Sequence, residues 1–310
     1  MRTNLKKIIK KNFNILAKLY RFFKFSYFGL LGRIDPVKLA KLLYRIAHPG
    51  YHMNLSNPIN FDEKINWLKF YSDTSTWSKL TDKYSVRTYV KDKGLGFTLN
   101  PLYGVYDNAN QIDFDKLPNQ FVLKSTNGGS GVQVIIVRDK KTLDITKVKK
   151  ILTSWLNKVS PLYLAEPHYL KIKPRLLAEK YLEDDKKSSS IIDYKFNCFN
   201  GVVYSVFLCS DREKDSVKYS VYDLKWKLYP EKVIPEYRTD VSYPKPVSLG
   251  KMIEYSKTLS QGFPFVRIDW YEINNEPVFS EMTFTPGGGY QQFYTMEYLN
   301  ELGAQLNLPK

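Results

Sequence analysis

A chain of 310 residues with 43% hydrophobic and 15% aromatic residues can bury a sizeable core in two or more lobes, which excludes a disordered protein. Its 47 basic against 31 acidic residues give a net charge of +16, which favours anionic partners. Cys198 and Cys209 are the only cysteines, and both lie in apolar runs that read as strands. Two free thiols in a reducing compartment are therefore expected rather than a disulfide.

The charge is uneven: residues 1–34 hold nine basic residues and no acid. Leu5, Ile8, Ile9, Phe13, Leu16, Leu19, Tyr20 and Phe23 recur at helical spacing, with Lys6, Lys7, Lys10, Lys11, Lys18 and Arg21 between them. The pattern predicts a basic amphipathic helix. No uncharged apolar run reaches the roughly 18 residues of a membrane span. Three readings stay open. One is an interfacial helix on anionic lipid, held by apolar burial and roughly 1 kcal/mol per basic residue. The second is a helix packed on the protein's own core. The third is a mitochondrial presequence, although this segment is rich in Lys rather than in Arg and Ser. Charge confined to one helix, outside any known nucleic-acid motif, argues against nucleic acid.

Residues 35–100 read as mostly helical. Asp35-Pro36 starts a helix through about Ile46, with Pro at its first position. Asn60 or Asp62 caps a second through Tyr71, and a third covers about Lys79 to Lys93 and stops at Gly94. His48 and His52 have the i,i+4 spacing of a helical zinc site, but Pro49-Gly50 between them breaks the helix, and no zinc is expected.

Phe121-Val122-Leu123-Lys124 reads as a short strand, followed by Ser125-Thr126-Asn127-Gly128-Gly129-Ser130-Gly131 and an apolar run from Val132 to Val137. Consecutive amides in such a loop can converge on phosphate oxygens, because Gly permits the angles and the close approach. The order of a Walker loop is absent, so a plain Gly-rich hairpin is the alternative. Leu176 to Leu182, Asp193 to Phe199 and Val202 to Cys209 read as further strands, joined by hairpin-length turns in a largely antiparallel arrangement. Lys186-Lys187-Ser188-Ser189-Ser190 reads as a flexible loop.

Near the C-terminus, Arg267-Ile268-Asp269 is followed by Glu281-Met282-Thr283-Phe284-Thr285-Pro286-Gly287. Alternation places Arg267, Asp269, Glu281 and Thr283 on one face and Val266, Ile268, Trp270, Met282 and Phe284 on the other. A three-residue loop centred on Asn275 would set Asp269 opposite Glu281. Two carboxylates that close favour a cation between them, and Mg²⁺ takes such hard oxygen ligands. A chance acidic pair on an exposed hairpin is the alternative.

In order, a strand Lys with a Gly-rich loop, Glu179-Lys180-Tyr181-Leu182, Asp193-Tyr194-Lys195, Arg267-x-Asp269 and Glu281-x-Thr283-x-x-Pro286-Gly287 resemble the ATP-grasp superfamily. More closely, they resemble the TupA-like ATP-grasp family of surface-polysaccharide and teichuronopeptide biosynthesis. Phe61 to Lys69, Asp82 to Arg87, Phe121 to Lys124 and Phe279 to Pro286 carry the likeness, from about Asn60 to the C-terminus.

The resemblance implies an α+β, ATP-grasp fold: two lobes with largely antiparallel sheets gripping ATP, preceded by a helical N-terminal region. The divisions would be 1–34 (basic helix), 35–100 (helical region), 101–182 (small lobe with the Gly-rich loop) and 183–310 (large lobe with the Mg²⁺ site). It also implies roles. Lys124 would contact the α-phosphate, and the loop of Thr126, Asn127, Gly128, Gly129, Ser130 and Gly131 would close over the β- and γ-phosphates. Glu179 with the Lys180, Tyr181 and Leu182 segment would read adenine, and Asp185 would reach the ribose. Lys195 and Arg267 would face the terminal phosphates, while Asp269, Glu281 and Thr283 would hold Mg²⁺.

Two positions depart from relatives. Thr283 stands where many ATP-grasp ligases have Asn, which leaves one or two Mg²⁺ ions open. Asn127 stands where TupA-like relatives often carry His. The implied activity is carboxylate–amine ligation, in which a substrate carboxylate takes the γ-phosphate and an amine attacks the acyl-phosphate. The expected partners are a uronic acid or similar anionic glycan and an amino acid or amine. The expected location is cytoplasmic, with peripheral contact at the inner face of the plasma membrane through residues 1–34. A glycosyltransferase, a sugar kinase of the same pathway and a non-catalytic binding protein are the rival readings.

Overall fold

The computed structural model describes residues 26–128, 133–157, 162–183, 191–210 and 217–309. Most of the basic segment, Gly129, Ser130, Gly131, Asp185 and the Lys186–Ser190 stretch lie outside the described residues.

After a helical stretch at 26–34, α1 (Pro36–Ala47) begins where the Asp35 side chain accepts from the Lys38 amide at 2.8 Å. α2 (Phe61–Tyr71) starts at Asn60, whose side chain and that of Glu63 cap each other's backbone amides. The single helix expected over 79–93 is instead two, α3 (Trp77–Thr81) and α4 (Val86–Asp92). Asp82 causes the break: its Oδ1 accepts from the amides of Tyr84 (2.9 Å) and Ser85 (2.6 Å). A local side-chain acceptor competes with the helical ladder in this way. The Lys83 amide meanwhile donates to the Thr126 carbonyl (3.1 Å), far along the chain.

Strands β1 (Leu102–Tyr106), β2 (Phe121–Ser125), β3 (Val134–Val137) and β4 (Leu176–Lys180) form a sheet in the order β1-β4-β2-β3. Strands β5 (Tyr194–Phe199), β6 (Val202–Ser210), β7 (Lys218–Tyr222), β8 (Phe265–Ile273) and β9 (Glu276–Thr283) form a second, ordered β7-β6-β5-β8-β9. Every ladder in both sheets is antiparallel, as the short turns imply. Cys198 and Cys209, on β5 and β6, are not joined in a disulfide.

The small sheet is backed by α5 (Ile145–Leu156), whose Val148, Leu152 and Trp155 pack with Phe121, Leu123, Leu176 and Ala178. The large sheet buries Phe196, Val266, Ile268, Trp270 and Met282 on the face that meets α6 (Leu249–Ser260), where Trp270 donates to Ser256, while α2 and α7 (Met296–Gln305) meet the other face through Phe61 on Phe265 and Tyr298 on Ser205. That other face carries the alternating residues Lys195, Arg267, Asp269 and Glu281.

The β8–β9 hairpin pairs Asp269 with Glu281 as expected, but by another route. The loop has two residues rather than three: Asn274 and Asn275 sit at φ +52° and +63°, between the paired Ile273 and Glu276. Two successive positive φ values suit a tight turn that follows strand twist, and Asn tolerates them. That turn alone would shift the partners by one. A bulge between Asp269 and Trp270 restores the Asp269–Glu281, Ile268–Met282 and Arg267–Thr283 pairs.

Candidate active site

Strand register builds two rows across the large sheet. Lys195, Asp269 and Glu281 form one; Asn197, Arg267 and Thr283 form the next. Asp269 is fully buried. Arg267 grips it with both ends of its fork, Nε to Oδ1 and Nη2 to Oδ2, each at 2.7 Å. Arg267 Nη2 also reaches Glu281 Oε1 (3.0 Å) and Thr283 Oγ1 (3.1 Å). Lys195 donates to Asp269 and to Asp193. Burial opposes the charge on Lys195 and on Arg267, but the surrounding carboxylates outweigh it and raise both pKa values. Both side chains are therefore fixed cations.

Glu281 behaves oppositely. Burial alone would raise its pKa, yet Lys83, Lys195 and Arg267 pull the carboxyl well below the usual range. Its side chain stays 28% exposed, so it is the more accessible of the two carboxylates. Their hard oxygen donors fit Mg²⁺. Among the described residues no third His, Cys, Asp or Glu completes a metal-binding group with them. Thr283 lies beside Glu281, 3.3 Å from its Oε1.

On the small sheet, Lys124 pairs with Glu179 at 2.7 Å, diagonally across β2 and β4. Burial opposes the Lys124 charge, while Glu179, then Tyr271 and Glu281, more than restore it. The influence of Glu281 shows that the cation of one sheet lies within reach of the acids of the other.

The base of the Gly-rich loop is tightly held. Thr126 is fully buried; its amide donates to the Arg175 carbonyl (2.9 Å) and its carbonyl accepts from the Lys83 amide. Thr126 is thus placed as an anchor, with its backbone turned to the protein rather than free for phosphate. Asn127 is buried beside Ser125. Gly128 must be Gly, because a Cβ there would lie 2.9 Å from Gln133 and Ser125 side-chain atoms.

At the other end of β4, the Lys180 amide donates to Pro101 and its carbonyl accepts from Asn100 (2.9 Å). The amide of Lys180 is therefore already engaged. The Tyr181 hydroxyl accepts from Arg138 (3.4 Å), and Leu182 follows just beyond the strand, half-buried.

Lys83 had no role assigned from sequence. Its Nζ donates to the Gly128 carbonyl (2.6 Å) and to Glu281 Oε2 (3.3 Å), tying the loop of the small sheet to the acid of the large one. The signal was present in Asp82-Lys83, but only the non-helical turn at Asp82 aims this lysine into the site.

The two sheets bring four cations, Lys83, Lys124, Lys195 and Arg267, to the Asp269–Glu281 pair and the Gly128 carbonyl, an arrangement whose charges suit phosphate and a divalent cation. The TupA-like ATPgrasp family matches residues 63–307, and the chain belongs to that family. As an ATP-grasp protein it uses ATP with Mg²⁺.

Solved structures similar to it include D-alanine-D-alanine ligase from Helicobacter pylori, at 17% identity and TM-score 0.42, covering 80% of this chain and 67% of that one. L-amino acid ligase from Bacillus licheniformis matches at 16% identity and TM-score 0.46, covering 75% and 51%. The Bacillus anthracis D-alanine–D-alanine ligase complexed with ATP matches at 14% and 0.42, covering 73% and 61%. The chain thus spans about two thirds of the first and about half of the second. The family assignment rests on the match over residues 63–307. No curated protein matches the chain.

Proposed function

We propose that this protein is an ATP-dependent carboxylate–amine ligase that joins the carboxylate of a uronic acid, on a surface polysaccharide or its lipid-linked precursor, to an amino acid or other amine. The observation that carries the reading is the joined set of charges: Lys195, Arg267, Asp269 and Glu281 on one sheet and Lys124 on the other, bridged by Lys83.

Bound ATP with Mg²⁺ supplies the phosphoryl group that activates the carboxylate. Asp269 and Glu281 would hold the metal, and Glu281, the more exposed, would be the first to exchange its Lys83 contact for it. Lys124, Lys195 and Arg267 neutralise phosphate charge; phosphoryl transfer needs little beyond such positioning and neutralisation. The Arg267 fork suits two phosphate oxygens at once. Glu179 with the Lys180–Leu182 segment would face the adenine. The loop at Gly128, held to Lys83, would exclude water that could hydrolyse the activated carboxylate.

A net charge of +16 suits an anionic acceptor. Tyr27, Leu30 and Ile34 are 57%, 58% and 74% exposed on the 26–34 helical stretch, at i, i+3 and i+7. That exposed apolar stripe, in a segment whose sequence carries nine basic residues, supports a peripheral seat on anionic lipid, at the cytoplasmic face where a lipid-linked acceptor would be met. Among the described residues no helix is long and apolar enough to cross a membrane.

The test incubates purified protein with Mg-ATP, a glucuronate oligosaccharide and a panel of amino acids. ADP release that requires all components, with a new amide by mass spectrometry, is the expected result. A phosphorylated sugar without amide would establish a kinase, and ADP at background would refute the substrate assignment.

A further inference from the structure

A polar cavity of about 440 Å³ opens at the end of β1, apart from the charged rows of the ATP site. Tyr84, Tyr106, Asp107, Gln111, Lys173 and Arg175 line it. Its volume lies in the range that holds small ligands. Val105 adds one aliphatic side chain to walls that are otherwise aromatic, charged and amide-bearing.

Several of these groups are fixed in place. The Arg175 guanidinium lies over the Tyr84 ring, 4.6 Å from its centroid, and reaches Ser85 Oγ (3.3 Å) and Asp82 (3.6 Å). The Tyr106 ring is folded back along β1 over Gly104. A Cβ at 104 would lie 2.1 Å from the Tyr106 hydroxyl and 2.4 Å from Cζ, so only Gly permits this ring position. Lys173 pairs with Asp107 at 2.9 Å with both side chains more than half exposed, a weak pair that a ligand can replace.

The cavity adjoins the loop end of the site. The Arg175 carbonyl accepts from the Thr126 amide and its own amide donates to the Thr126 hydroxyl, at the base of the Gly-rich loop, and Tyr84 follows Lys83 directly. β4 begins beside Arg175 and runs away to Glu179 and Lys180. A ligand here would lie toward Lys83 and Gly128, not toward the Glu179 end.

We propose that this cavity is a saccharide subsite, holding one sugar unit of the acidic acceptor glycan while its carboxylate is presented to the ATP site. The proposal rests on the glycan-acceptor reading above. Tyr84 and Tyr106 offer flat apolar faces with a hydroxyl at the tip. Gln111 and Asp107 pair with ring hydroxyls, which need both donors and acceptors. Arg175 and Lys173 donate charge-assisted hydrogen bonds to hydroxyl and ring oxygens of the sugar, which leaves its carboxylate for the ATP site.

Isothermal titration calorimetry on the full chain tests this, with a tetrasaccharide alternating glucuronate and N-acetylglucosamine as probe. Gly104→Ala, Tyr106→Ala and Lys173→Ala should each weaken tetrasaccharide binding at least tenfold and leave the affinity for a non-hydrolysable ATP analogue unchanged. Lys173 is 68% exposed, so its variant folds even if the other two do not. Wild-type glycan affinity in the Lys173 variant, and in whichever others fold, places the sugar elsewhere and overturns the subsite while leaving the ligase reading intact. No glycan binding by the wild type overturns both, because the acceptor class is then wrong.

Discussion

Asp269→Asn separates a carboxylate that only holds metal from one that also holds the fold. Asp269 is fully buried and accepts three charge-assisted hydrogen bonds, two from Arg267 at 2.7 Å and one from Lys195. Asn offers one neutral acceptor and turns an NH₂ toward donors. Lys195 keeps Asp193, and Arg267 keeps Glu281 and Thr283, so neither cation is wholly stranded. Breaking one partner of a buried ionic network costs about 3–5 kcal/mol. In a protein of this size that lowers the melting temperature by on the order of 10 °C. Thermal and urea unfolding without added metal or nucleotide are the assays. The Asp269→Asn/Lys195→Met double variant should lose less than the sum of the two singles, by about 0.5–3 kcal/mol. If Asp269 served the metal alone, the variant would be as stable as wild type or more so, because repulsion from Glu281 would be relieved. A melting temperature within about 2 °C of wild type, or strict additivity in the double variant, would refute the reasoning.

Lys83→Met should weaken binding of a non-hydrolysable ATP analogue about tenfold, or about 1.4 kcal/mol, by calorimetry; unchanged affinity would remove Lys83 from the site. His168 is 2% exposed with both ring nitrogens unpartnered, and burial, aided by Lys69, lowers its pKa to about 3. Its folded pKa thus lies below the unfolded one, so stability is full above about pH 6.5 and is lost as pH falls toward 3. Roughly 2 kcal/mol should disappear by pH 5, and His168→Phe, which keeps a ring against Trp77, should flatten that slope in urea titrations; an equal slope in the variant would show that another group titrates. Gly303→Ala would put a Cβ 2.3 Å from the Ile59 carbonyl and 2.8 Å from the Asn60 backbone, costing about 1–3 kcal/mol. An unshifted urea midpoint for that variant would show that α7 sits farther from the α2 cap than described.

The sequence by itself determined several local elements and which residues share the Asp269–Glu281 face. Asp35-Pro36 and the Asn60–Glu63 box are short-range cap chemistry, and both helices start where these residues place them. Period-two alternation sorted Arg267, Asp269 and Glu281 from Val266, Ile268 and Met282, because side chains of a strand alternate whatever the distant packing. The Asp269–Glu281 pairing was legible too, although the two-residue Asn274-Asn275 turn and the compensating bulge were not. A bulge depends on how a strand must twist to meet its neighbours, and composition carries no such record.

Tertiary structure decided what no window of sequence could show. β1, α5, α6 and α7 lie outside the elements expected from sequence, although Asp144 caps α5 and Val148, Leu152 and Trp155 recur there at helical spacing; long-range packing holds Leu152 and Trp155 in the small core and Leu299 and Leu302 in the large one. Lys83 became part of the site only because Asp82 diverts the chain and Thr126, 43 residues away, accepts its amide. The Thr126 backbone is tied to Arg175 and Lys83 for the same reason, since a backbone group's partner is set by which segments meet. Charge type and spacing are local and were readable; which charges meet across two sheets is a property of the folded chain alone.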